Sequence, residues 1–270
     1  MPENANPLLT FARRLHAGPT AFAAWCTMRD TSAIEALMQE DYDCAILDWQ
    51  HGLHDFTSIQ NAILTTQGAG KASLVRIGVN QFNEAARFLD WGATGIVAPM
   101  INSAQDARQL VNYLKFPPLG GRSWGPARAL GFTGFTPGEY LKSINELALN
   151  IAMIETREAL GALDEILAID GIDGVLVGPG DLSITLTGGA TINPLHPEVD
   201  KALTHIAQRT RAAGKIASAF TPDGARAGEL STRGFHLLSI ATDHTLLRIG
   251  GRSELAKARA LAPKAGPSGY

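Results

Sequence analysis

The stretch CAILDWQHG, residues 44–52, joins an apolar run to a cluster of polar side chains. Four apolar residues in succession predict a strand that is buried on both faces, as in a parallel sheet covered by helices. Asp48, Gln50 and His51 follow at the end of that strand. One interpretation is that these polar residues end the strand where the chain turns to solvent. The other is that the strand places a proton-transfer group in a functional site.

The same unit recurs along the chain, with a short β-rich run roughly every 25 to 30 residues. The segments between the runs, such as SAQDARQLVNYL and ALTHIAQRTRAA, space apolar residues at three and four, as amphipathic helices do. Eight such units predict a closed (β/α)₈ barrel, the TIM barrel. An open doubly wound sheet is the alternative, but no GxGxxG follows the first strand. The predicted strands begin at Thr20, Cys44, Ala72, Gly95, Ile151, Gly174, Lys215 and Leu237.

One long Gly/Pro-rich segment interrupts this repeat after the fourth βα unit. It reads FPPLGGRSWGPARALGFTGFTPG from Phe116. A loop of this length in a compact domain is usually a lid, a binding loop or a subunit contact. We expect one domain over residues 1–270. It should have an N-terminal helix at about 7–17 and a C-terminal helix and tail at about 243–270.

Composition narrows the class of protein further. The hydrophobic fraction of 45% is enough for a substantial core. A net charge of −3 without a long basic block argues against nucleic acid as a partner. Cys26 and Cys44 lie in apolar segments without a CxxC pair, which predicts buried thiols. Neither a signal-like N-terminus nor an apolar run of membrane-span length is present, so we expect a cytoplasmic protein without membrane contact.

Ionisable side chains follow several of the predicted strands. In a (β/α)₈ barrel the chemistry lies at the C-terminal ends of the strands, so these side chains should meet at one mouth. Lys71 and Lys215 begin their strands and belong to the opposite face. The side chains expected at the mouth are Asp48, His51, Arg76, Glu155 and Asp181.

Each of these residues also has a structural explanation. Arg76 alone would be an ion-pair partner of a neighbouring strand end. Glu155 would be a first-turn acid favoured by the helix dipole, and Asp181 would be an N-cap. A lone histidine after a strand, such as His51, is usually structural. Because several such groups converge on one mouth, a functional site is favoured over four separate structural roles.

The pair of carboxylates suggests the chemistry. Glu155 and Asp181 come from adjacent strands with no Cys or His in the same loops, which predicts a hard oxygen site for Mg²⁺ or Mn²⁺. The segment GPGDLS presents backbone N–H groups at a helix start, where a substrate carboxylate can bind. Arg76 would face charge on a neighbouring 2-oxo group, and His51 would move protons. This set is suited to stabilising an enolate.

At this point the sequence resembles a known family, the HpcH/HpaI aldolases. These are metal-dependent pyruvate aldolases typified by 4-hydroxy-2-oxoheptanedioate aldolase, and their fold is the (β/α)₈ barrel. The resemblance runs in order from roughly Leu9 to Leu261. The matching motifs are DYDCAILDWQHG, LVRIGVNQ, FLDWGATGIVAPMINSAQDA, IETREAL, GIDGVLVGPGDLS and NPLHPEV.

The resemblance implies roles for the residues at the mouth. Glu155 and Asp181 would bind the divalent metal, Mg²⁺ or Mn²⁺ with Co²⁺ also possible, and no organic cofactor is expected. His51 would be the base, acting directly or through water, and Arg76 would stabilise the enolate. Gly180 and Asp181 would hold the carboxylate of the 2-oxo acid through their main-chain amides.

Two further residues enter through the resemblance. Trp25 corresponds to a pocket tryptophan of the family. Asp90 corresponds to an aspartate that is credited with raising the basicity of the histidine. Asp90 ends the third barrel helix, so within its own barrel it should lie at the wrong face and reach His51 only across a subunit contact. Asp48 is the simpler local residue to orient His51.

The sequence also departs from the family pattern. Gln50 stands where the family often has Glu, and Met153 stands where it often has Gln. Met153 removes one amide contact to substrate or water. Phe220 stands where a smaller aliphatic side chain is common, which would narrow the acceptor pocket. These departures leave intact the part of the site that binds pyruvate. They affect which aldehyde the enzyme would accept.

The expected activity is that of a lyase, reversibly cleaving a 4-hydroxy-2-oxo acid to pyruvate or hydroxypyruvate plus an aldehyde through a metal-stabilised enolate. The resemblance also implies a role in the catabolism of aromatic compounds. No lysine ends a predicted strand, which argues against a Schiff-base aldolase. An acyl-CoA lyase of the malyl- or citramalyl-CoA type is one alternative, for which only Arg122 and Arg128 offer a basic groove. A non-catalytic 2-oxo acid binding protein is the other.

The expected assembly is a homo-oligomer, a hexamer built as a trimer of dimers, in which the last helix is exchanged or packed between subunits. The final segment SELAKARALAPKAGPSGY, from Ser253, begins with helical spacing and small residues. The alternative is an ordinary eighth helix that closes its own barrel. The long Gly/Pro-rich segment and Asp90 both favour an oligomer, because each would need a neighbouring chain.

Overall fold

The computed structural model describes residues 6–261 and shows a closed barrel of eight parallel strands. Each strand pairs with the next in sequence, and the last pairs with the first. The predicted barrel is therefore confirmed, and the doubly wound alternative is excluded. The strands are β1 (Ala21–Cys26), β2 (Cys44–Asp48), β3 (Ala72–Arg76), β4 (Gly95–Ala98), β5 (Leu149–Ile154), β6 (Gly174–Val177), β7 (Ile216–Thr221) and β8 (Leu237–Thr242).

Helices connect the strands and cover the outside of the barrel. None of those between residues 6 and 261 is both long and apolar enough to cross a membrane. In chain order they are α1 (Pro7–Ala17), α2 (Thr31–Met38), α3 (Phe56–Gly68), α4 (Phe82–Asp90), α5 (Ala104–Leu114), α6 (Ala127–Thr133), α7 (Pro137–Leu147), α8 (Arg157–Gly161), α9 (Leu163–Leu167), α10 (Pro179–Leu186), α11 (Pro197–Ala212), α12 (Gly224–Ser231) and α13 (Asp243–Leu261).

Alternate residues of the strands build two separate cores. Because successive side chains of a strand point to opposite faces, one set fills the barrel and the other packs under the helices. In β2, Cys44 and Ile46 belong to the interior, whereas Ala45 and Leu47 belong to the layer between strands and helices. Both sets are apolar, which explains why the strands read as continuous apolar runs.

The N-terminal helix α1 closes the lower end of the barrel. Its residues Phe11, Ala12 and Leu15 pack in the same cluster as the interior strand residues. The Asn6 side chain caps this helix by accepting the amide N–H of Leu8 at 3.0 Å. Since the interior is filled and its lower end is covered, the only open end of the barrel within the described residues is the one formed by the C-terminal ends of the strands.

The long Gly/Pro-rich segment lies at the N-terminal face of the barrel. It follows α5 and precedes β5, and it folds into α6 and α7, which pack on α1. A connection from a helix to the next strand runs below the barrel, so this segment is not a lid over its own strand ends. Trp124 of this segment is 49% exposed, and its ring packs beside those of Phe116 and Tyr140.

Both cysteines are buried free thiols, as predicted. Cys44 lies in the barrel interior and Cys26 in the outer layer. Burial raises the pKa of each thiol. These thiols are therefore inert core residues at neutral pH.

Candidate active site at the C-terminal ends of the strands

The alternation that fills the barrel also delivers the polar residues to its mouth. Asp48 lies two residues after Ile46 in β2, and Arg76 two after Leu74 in β3. Both positions point inward, and the strand register places Asp48 beside Arg76. Glu155 follows Met153 of β5 by the same interval.

Asp48 and Arg76 form a buried, two-pronged ion pair. Arg76 Nε donates to Asp48 Oδ1 at 2.9 Å, and Arg76 Nη2 donates to Asp48 Oδ2 at 2.5 Å. The Trp25 indole N–H donates to Asp48 Oδ2 at 3.2 Å, and the guanidinium carbon of Arg76 lies 5.0 Å from the centre of the Trp25 ring. The three side chains therefore fix one another in place.

The ionised form of Asp48 is favoured despite its burial. Burial acts to raise the pKa of this carboxyl, but the hydrogen bonds and the charge of Arg76 outweigh it, so the pKa lies below its usual range. The main-chain N–H of His51 and the indole of Trp25 act in the same direction. Asp48 is thus a fixed anion that holds the guanidinium of Arg76 toward the cavity.

Asp48 holds the His51 loop through the main chain. Its Oδ1 accepts the amide N–H groups of Gln50 and His51, each at 3.1 Å. Gly52 allows this tight turn, since a Cβ there would lie 2.2 Å from the carbonyl oxygen of Asp48. None of the hydrogen bonds among the described residues involves the imidazole of His51. Asp48 therefore orients the loop that carries His51 rather than the ring itself.

Glu155 is a buried carboxylate that forms no ion pair with any residue between 6 and 261. Its Oε1 accepts the amide N–H of Met100 at 2.7 Å, and Met100 has the left-handed backbone conformation with φ of 55°. Its Oε2 occupies the space where a side chain of Gly178 would begin, at 2.5 Å from that Cβ position. Burial, and next the charge of Asp181, raise the pKa of Glu155 to about 7.

These residues line a cavity of about 330 Å³ at the mouth of the barrel. All the predicted site residues except Asp90 line it. The sequence did not single out Thr27, Pro194 and Thr242, which complete the wall. Thr27 follows Trp25 by two residues, so extending the strand alternation would have found it. The cavity is lined by Trp25, Thr27, Asp48, His51, Arg76, Met153, Glu155, Gly178, Pro179, Gly180, Asp181, Pro194, Phe220 and Thr242.

The start of α10 borders the cavity on one side. Gly178 caps this helix without a side-chain hydrogen bond, and Asp181 lies in its first turn. The first N–H groups of a helix have no acceptor within it, so the amides of Gly180 and Asp181 are available to an anion. Asp181 is exposed at the cavity mouth rather than buried.

Asp90 does not join the site within the described protomer. It ends α4 at the N-terminal face, where it accepts a hydrogen bond from Arg122 Nη2 at 2.6 Å. Burial raises the pKa of Asp90 while the charge of Arg122 opposes that rise. Arg122 is itself buried, and Arg128 lies over the ring of Phe132. The basic groove required for an acyl-CoA substrate is therefore not built from these two arginines beside the cavity.

Asp243 supports the cavity wall from behind and was not foreseen from the sequence. Its buried carboxylate accepts the N–H of Thr27 at 2.9 Å, the hydroxyl of Thr27 at 2.6 Å and the N–H of Met28 at 2.8 Å. The carbonyl of Thr27 in turn accepts the N–H of Leu53 at 2.7 Å. Asp243 thereby links the loop after β1 to the loop that carries His51.

The fold and cavity define a barrel protein whose polar site lies at the C-terminal ends of its strands. The sequence model described as HpcH/HpaI aldolase/citrate lyase matches residues 22–249. This chain belongs to that family, as predicted from its motifs.

Named relatives and solved structures agree with this assignment. A hydroxypyruvate/pyruvate aldolase of Rhizorhabdus wittichii is 38% identical over 90% of this chain and 96% of its own length. A 4-hydroxy-2-oxo-heptane-1,7-dioate aldolase of Salmonella dublin is 30% identical over 96% of this chain and 98% of its own length. The crystal structure of an HpcH/HpaI aldolase from Desulfitobacterium hafniense superposes with a TM-score of 0.85, at 28% identity, covering 94% of this chain and 98% of that one. The predicted class, a carbon–carbon lyase of the aldolase type, agrees with both named relatives.

Proposed function

We propose that this chain is a divalent-metal-dependent aldolase. It reversibly cleaves a 4-hydroxy-2-oxo acid to pyruvate or hydroxypyruvate and an aldehyde. The assignment of the substrate rests on the names of the related aldolases. The proposed metal dependence rests on the residues that line the cavity.

One observation carries the proposal: Glu155 and Asp181 line the same cavity, and the negative charge of Asp181 acts on the carboxyl of Glu155. Glu155 is 2% exposed, and the charge of Asp181 raises its pKa further. The charge of Arg76 opposes this rise in the pKa of Glu155, but Arg76 is engaged in an ion pair with Asp48. A buried carboxylate beside a second carboxylate is costly to ionise, and a divalent cation bound to both would offset that cost.

The donor set fits Mg²⁺ or Mn²⁺, with Co²⁺ as a further candidate. Both donors are carboxylate oxygens, which hard divalent cations prefer. Within residues 6–261 no cluster of three or more His, Cys, Asp or Glu forms a complete metal cage. Two protein carboxylates leave positions for substrate and water, as is usual for Mg²⁺. A bound divalent cation would polarise the 2-oxo group and stabilise the negative charge that develops on it.

The chain's own residues would bind and orient the 2-oxo acid. The amides of Gly180 and Asp181 would receive the substrate carboxylate at the positive end of α10. Arg76, held by Asp48, would face the oxygen on which charge develops during cleavage. Because the guanidinium is fixed before the substrate arrives, little reorganisation is needed in the reaction.

His51 would carry the proton. In cleavage it would take the proton from the C4 hydroxyl of the substrate as the C3–C4 bond breaks and the aldehyde forms. The same imidazole would return a proton to C3, which completes pyruvate. His51 is exposed and lines the cavity, and its main-chain N–H is held by Asp48, so its imidazole lies at the mouth where the substrate would bind.

The test of this function is pyruvate release from a racemic 4-hydroxy-2-oxo acid, coupled to lactate dehydrogenase. The purified protein should release pyruvate with Mg²⁺, Mn²⁺ or Co²⁺ and lose that activity after chelation. A protein that binds pyruvate but releases none under any metal would be a binding protein instead.

We also propose that the active form is an oligomer, with a hexamer as the expected size. The support is α13, a helix of 19 residues in which only Asp243 is buried. Leu247, Ile249 and Leu255 are between 50% and 64% exposed on it. A second copy of the chain would cover these residues. Asp90 could contact a His51 only in a neighbouring subunit, which also requires an oligomer. Light scattering during dilution, run beside the activity assay, should show dissociation and inactivation together; a fully active monomer would refute this proposal.

A further inference from the structure

The charges that line the cavity are unbalanced. Three carboxylates, those of Asp48, Glu155 and Asp181, face a single guanidinium, that of Arg76. Among the described residues of the lining there is no lysine and no second arginine. Arg76 already donates two hydrogen bonds to Asp48. A divalent cation would bring the sum of these charges to zero, and the carboxylate of the 2-oxo acid would then leave one negative charge. Apart from the imidazole of His51, which the proposed reaction uses as its base, no cationic side chain of the described lining remains to pair with a further anion.

The wall beyond the carboxylates is apolar. Phe220 lies against Trp25 with ring centres 5.2 Å apart at an angle of 85°. Met153 is 2% exposed, and its methyl group lies 3.2 Å from the Cβ position of Gly178, beside Glu155. Pro194 adds a further apolar surface. Edge-to-face rings and a buried thioether make a surface that accepts hydrocarbon and offers no hydrogen bond.

The neutral polar groups near this wall are already in use. The hydroxyl of Thr27 donates to Asp243 at 2.6 Å. The hydroxyl of Thr242 donates to that of Thr245 at 3.0 Å. A carboxylate at the far end of a substrate would therefore lie among carboxylates and apolar side chains. An unpaired charge in such surroundings is strongly disfavoured, whereas apolar substituents gain from burial.

We propose that the aldehyde half of the substrate is a neutral aldehyde with an apolar substituent, not a semialdehyde that carries a carboxylate. This inference rests on the proposed aldolase function and specifies its acceptor. It separates the chain from its relative named for a heptane-1,7-dioate, whose substrate carries a second carboxylate. Phe220 and Met153 are the residues that set this preference.

A matched pair of acceptors tests the inference. The pair is 4-oxobutanoate and its methyl ester, which differ in the terminal charge, with benzaldehyde as an aromatic acceptor. The kcat/KM of aldol addition to pyruvate should favour the ester by about ten-fold or more, because the charged acceptor leaves its carboxylate unpaired. Equal rates, or a preference for 4-oxobutanoate, would overturn the inference.

Substitutions that add a cation sharpen the test. Phe220→Lys should shift the ratio toward 4-oxobutanoate by about ten-fold relative to Phe220→Met, which has a chain of similar length and no charge. Thr242→Lys, compared with Thr242→Met, provides the same test on a second lining residue if the first pair does not fold. If neither lysine variant changes the ratio while both fold, charge is not what selects the acceptor.

One further measurement distinguishes a failure of the acceptor inference from a failure of the proposed aldolase function. Exchange of the C3 protons of pyruvate with ²H₂O, followed by NMR without any aldehyde, reports enolisation alone. If exchange occurs and the charged acceptor is preferred, only the acceptor inference fails. If exchange does not occur in the presence of Mg²⁺ or Mn²⁺, the proposed function fails, and the acceptor inference fails with it.

Discussion

Arg76 holds Asp48 through two hydrogen bonds, Nε to Oδ1 at 2.9 Å and Nη2 to Oδ2 at 2.5 Å, at adjacent positions of β2 and β3. Both side chains are buried, at 8% and 1% exposed. Asp48 also holds the main chain of His51, so one carboxylate fixes both the guanidinium and the loop of the proposed base. The pair therefore links the stability of the barrel mouth to its chemistry.

Replacing Arg76 should cost both stability and rate. Arg76→Ala leaves Asp48 as an uncompensated buried charge, so we expect the free energy of unfolding to fall by about 3 kcal/mol. It should lower kcat together with kcat/KM, because the lost contact matters most where charge develops. Urea unfolding and steady-state kinetics measure the two effects. Arg29→Ala, which breaks an exposed pair with Asp55, is the matched control and should cost less than about 1 kcal/mol.

Replacing His51 should separate turnover from binding. His51→Ala removes the proton carrier but leaves Glu155, Asp181 and the amides of α10 in place. Turnover should fall by about 10²- to 10⁴-fold while pyruvate affinity, measured by calorimetry, changes little. The exposed His205→Ala serves as the control. A His51→Ala enzyme with unchanged turnover and pH profile would remove His51 from the mechanism.

Glu155 should make the metal-free protein less stable as the pH rises. Its pKa in the folded state, about 7, lies above the ordinary value of 4.5, so the folded protein binds the proton more tightly. Its contribution is therefore most favourable below about pH 4.5 and is lost as the pH rises through 7. We expect chelated wild type to lose about 1 kcal/mol more than Glu155→Gln between pH 6 and pH 8. Parallel pH dependence in the two proteins would contradict this assignment.

Asp243 should act as a positioning residue. Asp243→Ala leaves the N–H groups of Thr27 and Met28 without an acceptor, so the free energy of unfolding should fall by about 1–3 kcal/mol. Because Thr27 also holds the N–H of Leu53, kcat should fall more than KM changes, and Asp243→Glu should restore part of it. Asp170→Ala, an exposed change, should do neither. A loss of stability with normal kcat would make Asp243 purely structural.

The sequence predicted the barrel and most of the mouth because both depend on local periodicity. Continuous apolar runs identify strands covered on both sides, and the alternation of two places Asp48 and Arg76 together. The face on which Asp90 lies also follows from its position at the end of a helix. These features need only the direction of each strand and helix.

Other features depend on contacts between distant parts of the chain. Either Asp48 or Asp90 was a candidate to orient His51; Asp48 instead holds the main chain of that loop, and Asp90 pairs with Arg122. The role of Asp243 arises from its hydrogen bonds to Thr27, a residue 216 positions earlier in the chain. No local pattern in the sequence marks such a contact.

The most direct test of the central claim, that Glu155 and Asp181 form the metal site of an aldolase, is Mn²⁺ titration calorimetry paired with pyruvate release. Glu155→Gln and Asp181→Asn each remove one anionic ligand while nearly preserving shape, and Glu158→Gln alters a neighbouring exposed acid as the control. We predict that both site variants lose Mn²⁺ binding and activity together, each by at least about 100-fold, while the control keeps both. Full activity in metal-stripped wild type, or Mn²⁺ binding that survives both substitutions, would contradict the claim.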